Sequence, residues 1–169
     1  KTLYSSNYKI EAVYTQPPKK KSRGQKIENS PVHLESTKLN IPIKCPEKIN
    51  SDEEFDFISN SEANYIVVVA YGQIIPERIL NIPNKIFLNI HASLLPKWRG
   101  AAPIQRSIIQ MDKRTGVSIM KIVPKLDAGP YMMQENVKIE KNDNSISLSI
   151  KLSIIGSKLI LKSLEKLKT

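Results

Sequence analysis

Residues 86–106 read IFLNIHASLLPKWRGAAPIQR, and the architecture follows from this stretch. An apolar run from Ile86 to Ile90, broken only by Asn89, ends on His91. As a strand, its period-2 alternation puts Asn89 and His91 on one face. A proline-stopped loop follows, and Arg99-Gly100-Ala101-Ala102-Pro103 leads into an apolar segment that reads as helix over residues 103–111. Polar side chains at the carboxyl end of a strand, just before a loop and a helix, stand where open α/β sheets place ligand sites.

The flanking sequence extends the pattern. Residues 65–70 (YIVVVA) form a continuous β-branched run, expected as a parallel strand buried on both faces. Residues 8–15 alternate and predict a strand, as do 41–45, 115–123 and 131–139. Ser30-Pro31 starts a helix, with a hydroxyl cap and proline at the first position. Asn50-Ser51-Asp52-Glu53-Glu54 starts another, its acids suiting the helix dipole. Residues 76–80 predict a short helix. A long amphipathic helix is expected over residues 145–167, with Ile146, Ile150, Ile154, Leu161 and Leu164 on its apolar face. Strand and helix alternate through the first two thirds, so the class is α/β with a largely parallel sheet, and the last strands form an antiparallel extension.

With 169 residues, the chain has room for one domain and a sizeable core. It holds no apolar run near the roughly 18–20 residues of a membrane helix. The one cysteine, Cys45, excludes an internal disulfide, lacks metal-ligand spacing and fits a reducing compartment. The net charge of +10 favours a polyanionic partner, although a solvated lysine-rich surface gives the same number. Part of the excess is concentrated in residues 16–31 (QPPKKKSRGQKIENSP), where three prolines and no periodicity predict a long exposed loop. The sequence begins at Lys1 in what reads as the end of a helix, so a fragment lacking its first strand is expected.

The polar residues suggest chemistry. An imidazole moves protons near neutrality, and an amide N–H stabilises an oxyanion without titrating. A carboxylate that would hold the imidazolium is available in Asp127, one helix and one strand beyond His91, in the turn KLDAGP. Together, Asn89, His91 and Asp127 predict acyl-type transfer. Other readings stand beside this one: a satisfied core histidine, a turn-forming aspartate, an asparagine capping a neighbouring backbone group.

NIHASLLPKWRGAAPIQRSI, the upstream VVVAYGQIIP and the downstream TGVSIMKIVPKLDAG resemble the 10-formyltetrahydrofolate-dependent formyltransferase family. KWRGAAPIQR and the basic TQPPKKKSRGQKIENSPV resemble the branch that formylates initiator methionyl-tRNA for translation initiation. The resemblance implies a Rossmann-like open twisted sheet flanked by helices. It also implies a monomeric enzyme of the cytoplasm or an organellar matrix, with no metal. Asn89, His91 and Asp127 match the family's catalytic positions. Ser93, Leu94, Leu95 and Pro96 match its folate-contacting segment, and Arg23, with Lys19, Lys20, Lys21 and Lys26, matches its tRNA-binding loop. The family adds a first strand before this chain and a tRNA-binding barrel domain after it, so residues 1–169 are expected to be a truncated catalytic domain. A sister enzyme acting on glycinamide ribonucleotide or an amino-sugar nucleotide, or an RNA-binding module without catalysis, are the alternatives.

Overall fold

The computed structural model describes residues 1–21 and 26–168. After a 3-10 turn (Tyr4–Ser6) come β1 (Val13–Tyr14), β2 (Lys19–Lys21), β3 (Lys26–Glu28), α1 (Pro31–Lys38), β4 (Ile43–Lys44) and α2 (Asp52–Asn60). The second half contains β5 (Tyr65–Val68), α3 (Glu77–Leu80), β6 (Ile86–His91), α4 (Pro103–Ile109), β7 (Arg114–Lys121), β8 (Tyr131–Lys138) and α5 (Ser145–Lys168). The pairs β1–β4 and β5–β6 are parallel. β7 and β8 continue the sheet antiparallel in the order β5-β6-β7-β8, the expected extension.

β6 separates two apolar cores by its alternation. Leu88 joins Val117 and Ile119 of β7 and Leu148, Leu152, Leu159, Ile160 and Leu164 of α5. Phe87, on the opposite face, packs with Ile49, Ile58, Ile79 and Ile82. Asn89 and His91 share the parity of Phe87 and so continue its face to the carboxyl end of the strand. Helix starts follow their local chemistry: Ser30 Oγ accepts from His33 N at 3.0 Å, and Ser51 Oγ accepts from Glu54 N at 3.3 Å.

Three expectations are corrected. First, residues 16–31 are not a featureless loop. They contain an antiparallel hairpin in the register Lys19↔Glu28, Lys20↔Ile27 and Lys21↔Lys26, and its base is tied by the Thr15 and Ser30 hydroxyls at 2.7 Å. Arg23 lies outside the described residues. Second, the first half of α5 turns the other way: Ile146, Ile150 and Ile154 are exposed, while Leu148, Leu152 and Gly156 face the sheet; toward its end Leu164 is buried as expected and Leu161 half-buried. The serine-rich sequence offers apolar residues on two faces, and the sheet takes the one carrying Gly156, where a Cβ would stand 2.9 Å from Ile90 Cγ2. Third, Tyr65–Val68 is only half-buried, because a cleft of about 990 Å³ opens between β5 and the segment leading into β1. Ile10, Val13, Tyr65, Val67, Ile160 and Leu164 line it. The expected strand over residues 8–15 shortens to Val13–Tyr14 beside the same cleft.

Among the described residues, no helix is long and apolar enough to cross a membrane. The two faces of α5 give a direct check. Leu152→Ala should cost about 2–5 kcal/mol in urea unfolding, and Ile150→Ala should stay within about 0.5 kcal/mol of the parent. The reverse ranking would put the core on the other face.

Candidate active site

Two constraints deliver the expected trio. Asn89 and His91 come from alternation on β6, where they pair with Met120 and Ser118 of β7. Asp127 comes from residues 122–130, which leave the sheet after β7 and rejoin it at β8. The base of this excursion is closed by Lys121 N donating to the Pro130 carbonyl at 3.0 Å. The excursion passes close to its own base: a Cβ on Gly129 would stand 1.9 Å from the Lys121 carbonyl oxygen. Glycine is therefore needed at 129 for close approach, and the positive φ of the turn falls on Asp127 itself, at 44°.

The structure brings the three residues together. Asp127 Oδ2 accepts from Gly100 N at 2.8 Å, and Oδ1 accepts from Asn89 Nδ2 at 3.4 Å. His91 Nδ1 stands 3.6 Å from Asp127 Oδ2, and both side chains are largely buried. His91 Nε2 lies 2.9 Å from the Trp98 carbonyl oxygen. A carbonyl only accepts, so Nε2 carries the proton of the neutral ring. Nδ1 is then the lone-pair nitrogen, 3.6 Å from the Asp127 carboxylate.

The SLLP segment divides. Ser93 is fully buried and Leu95 nearly so, Leu94 is half-buried, and Pro96 is exposed. Several backbone groups of this segment are bonded internally. Ser118 Oγ donates to the Ser93 carbonyl at 2.6 Å and accepts from Leu95 N at 3.1 Å. Gln134 Nε2 donates to the Leu95 carbonyl at 2.9 Å. Sequence reasoning missed these supports. The serine inside the apolar alternation of β7 was the available signal for Ser118; none marks Gln134. Exposed apolar surface lies instead at Leu126, beside Asp127 in sequence and 69% exposed, with its Cδ2 over Gly100.

Trp98 donates its indole N–H to Asp112 at 2.8 Å. Lys97 Nζ meets the other oxygen of the same carboxylate at 2.6 Å. Burial pushes the Asp112 carboxyl up, but donation from Lys97 and Trp98 outweighs it and holds the group below its ordinary value.

The basic hairpin opens on the same edge of the fold. Gln16 follows β1 and Tyr71 follows β5, and Gln16 Nε2 donates to the Tyr71 carbonyl at 2.9 Å. Val68 pairs with Asn89, so the carboxyl ends of β1, β5 and β6 lie along one side. Of the lysines expected to contact RNA, Lys19 is exposed, and Lys20, Lys21 and Lys26 occupy the paired strands through their backbones.

Comparison with known proteins gives this arrangement its context. The Formyl transferase family pattern matches residues 2–164. The chain belongs to the formyl transferase family. The methionyl-tRNA formyltransferase of Pelagibacter ubique is 51% identical over 168 residues, covering 99% of this chain and 54% of the relative. That of a Sulfurihydrogenibium species is 47% identical with the same coverage. The chain thus spans about half the length of these curated relatives. The solved phosphoribosylglycinamide formyltransferase of Bacillus halodurans superposes with a TM-score of 0.80 at 23% identity, covering 98% of this chain and 87% of that one. The Streptococcus pneumoniae protein of the same name gives 0.82 at 16% identity, covering 99% and 92%. At such identities the solved structures show a shared formyl transferase fold.

The internal bonding of the SLLP segment is testable by itself. Ser118→Ala strands the Leu95 N–H and one Gln134 proton in the interior. It should cost about 1–3 kcal/mol in urea unfolding and increase proteolysis near residue 95. Parental stability would mean that the segment is held by packing alone.

Proposed function

We propose that this chain is the catalytic domain of an enzyme that moves a formyl group from 10-formyltetrahydrofolate to the amino group of initiator methionyl-tRNA. The observation that carries this reading is the meeting of Asn89, His91 and Asp127 at one strand end. It is supported by relatives at 47–51% identity named methionyl-tRNA formyltransferase.

In this mechanism the methionyl amine attacks the formyl carbon, a C–N bond forms and the carbonyl electrons move to oxygen. The Asn89 amide donates to that oxyanion in a water-poor site, where a fixed dipole acts most strongly. His91 takes through Nδ1 the proton lost by the amine, assists with the oxyanion as the imidazolium, and returns the proton to the folate nitrogen as its bond to the formyl carbon breaks. Asp127 stabilises the ring while the proton resides there. The folate lies against Leu94, Pro96 and exposed Leu126, while buried Ser93 and Leu95 shape the loop. The acceptor end of the tRNA crosses the carboxyl edge of the sheet. Lys19, Lys20, Lys21, Arg23 and Lys26 meet its phosphates, which position the substrate without reading bases.

Residues 1–169 are, in this proposal, part of a longer enzyme. A further strand fits the apolar cleft between β5 and the segment before β1, and a C-terminal barrel supplies additional tRNA contacts. The length of the relatives and the half-buried face of β5 support this arrangement.

The decisive assay uses the full polypeptide, charged initiator tRNA and the formyl donor. Formyl-methionyl-tRNA is expected, and formylation of glycinamide ribonucleotide in its place would overturn the substrate assignment. His91→Ala and Asp127→Ala should each lower kcat by about 10²–10⁴ while folate binding persists. Arg23→Ala should raise KM for tRNA and leave KM for folate unchanged; an equal rise in both would refute a tRNA contact.

A further inference from the structure

Trp98 has φ at 59°, the left-handed region that a bulky residue seldom adopts. Its carbonyl nevertheless meets His91 Nε2 at 2.9 Å, so the tautomer of the imidazole depends on this unusual backbone being held. The hold comes from a residue outside the trio. Asp112 spans two consecutive side chains, accepting from Trp98 Nε1 at 2.8 Å through one oxygen and from Lys97 Nζ at 2.6 Å through the other. Lys97 Nζ also stands 5.0 Å from the Trp98 ring centroid. The carboxylate is 12% exposed, so solvent competes little for these bonds.

Asp112 is itself fixed by the end of α4. Its backbone N–H donates to the Ser107 carbonyl at 2.9 Å, and Met111 before it turns the chain with φ at 51°. From the other side, Ser93 Oγ donates to the Lys97 carbonyl and Lys97 N donates to the Leu94 carbonyl at 3.0 Å. The loop after β6 is therefore held from below by Ser93 and Leu94 and from outside by Asp112. Of these supports, the one that hydrogen-bonds the indole of Trp98 is Asp112.

We infer that Asp112 is a positioning residue for His91: its clamp on Lys97 and Trp98 aims the Trp98 carbonyl at Nε2 and so reserves Nδ1 for the proton that the reaction moves. The use of that proton rests on the function proposed above; the control of the tautomer does not. Without the clamp, Trp98 relaxes out of the left-handed region and its carbonyl leaves Nε2. The ring then gains a population with hydrogen on Nδ1, donating to Asp127 and unable to accept.

The test uses the full polypeptide with ¹⁵N-labelled histidine, His91 being assigned by His91→Gln. The parent should show the Nε2–H tautomer in the neutral ring. Asp112→Ala should convert a large fraction to Nδ1–H, and Trp98→Phe, which removes only the indole N–H, should shift the population in the same direction. Formyl transfer by Asp112→Ala should fall at least about 10-fold in kcat, with KM for both substrates within about 2-fold. If Asp112→Ala does not fold, Trp98→Phe and Asp112→Asn carry the test through the same tautomer ratio. An Nδ1–H tautomer in the parent, or a parental ratio in the folded variants, would overturn the inference. A parent that holds the predicted tautomer but transfers no formyl group would refute the proposed function and leave the positioning role standing.

Discussion

The Asp127 carboxylate is the contact around which the carboxyl edge of the sheet is assembled. It accepts from the Gly100 backbone in the loop after β6 and from the Asn89 amide on β6, and it faces Nδ1 of His91. Three segments distant in sequence thereby share one buried anion. A carboxylate so placed must be paired or hydrogen-bonded, because desolvation alone disfavours its charge. The neighbouring structure meets that requirement with one backbone N–H and one amide N–H. A group that merely formed a turn would need none of this convergence.

The scaffold behind the carboxylate is built from interior polar bonds and a few close approaches. Ser118 and Gln134 consume the backbone groups of Leu95 and Ser93, so the loop after β6 is fixed before any ligand arrives. Gly129 lets the Asp127 excursion sit on the Lys121 carbonyl. Asp112 completes the frame from α4. Preorganised dipoles of this kind need no rearrangement as charge develops, the condition under which electrostatic stabilisation of a transition state is largest. The open side of the sheet contrasts with this order: beside β5 the apolar lining has no partner strand within the described residues, which accounts for the partial burial of Tyr65–Val68.

Much of this was legible in the sequence. The alternation of residues 86–91 placed Asn89 and His91 on one face, and the strand came out as Ile86–His91. Ser30-Pro31 and Ser51 capped their helices as their chemistry required. What escaped was set by tertiary packing. The α5 sequence has apolar residues on two faces, and only the docking sheet decides between Ile150 and Leu152. The pairing of Lys19–Lys21 with Lys26–Glu28 carries no apolar pattern, so composition alone predicted a loop. Leu95 resembles Leu94 in sequence, and the interior took one of them more fully. Asp112 follows a helix like any turn aspartate; its clamp depends on a loop that only the fold brings near.

The central claim is that His91 and Asp127 act as one unit on the formyl transfer step. A double-mutant cycle on single-turnover formylation of methionyl-tRNA by the full polypeptide tests it most directly. Residues that work as a unit lose their effect together. The account predicts that the variant carrying both His91→Ala and Asp127→Ala transfers formyl within about 3-fold of the slower single variant. Losses that multiply would contradict it, because two independent contributions would then have been mistaken for a pair.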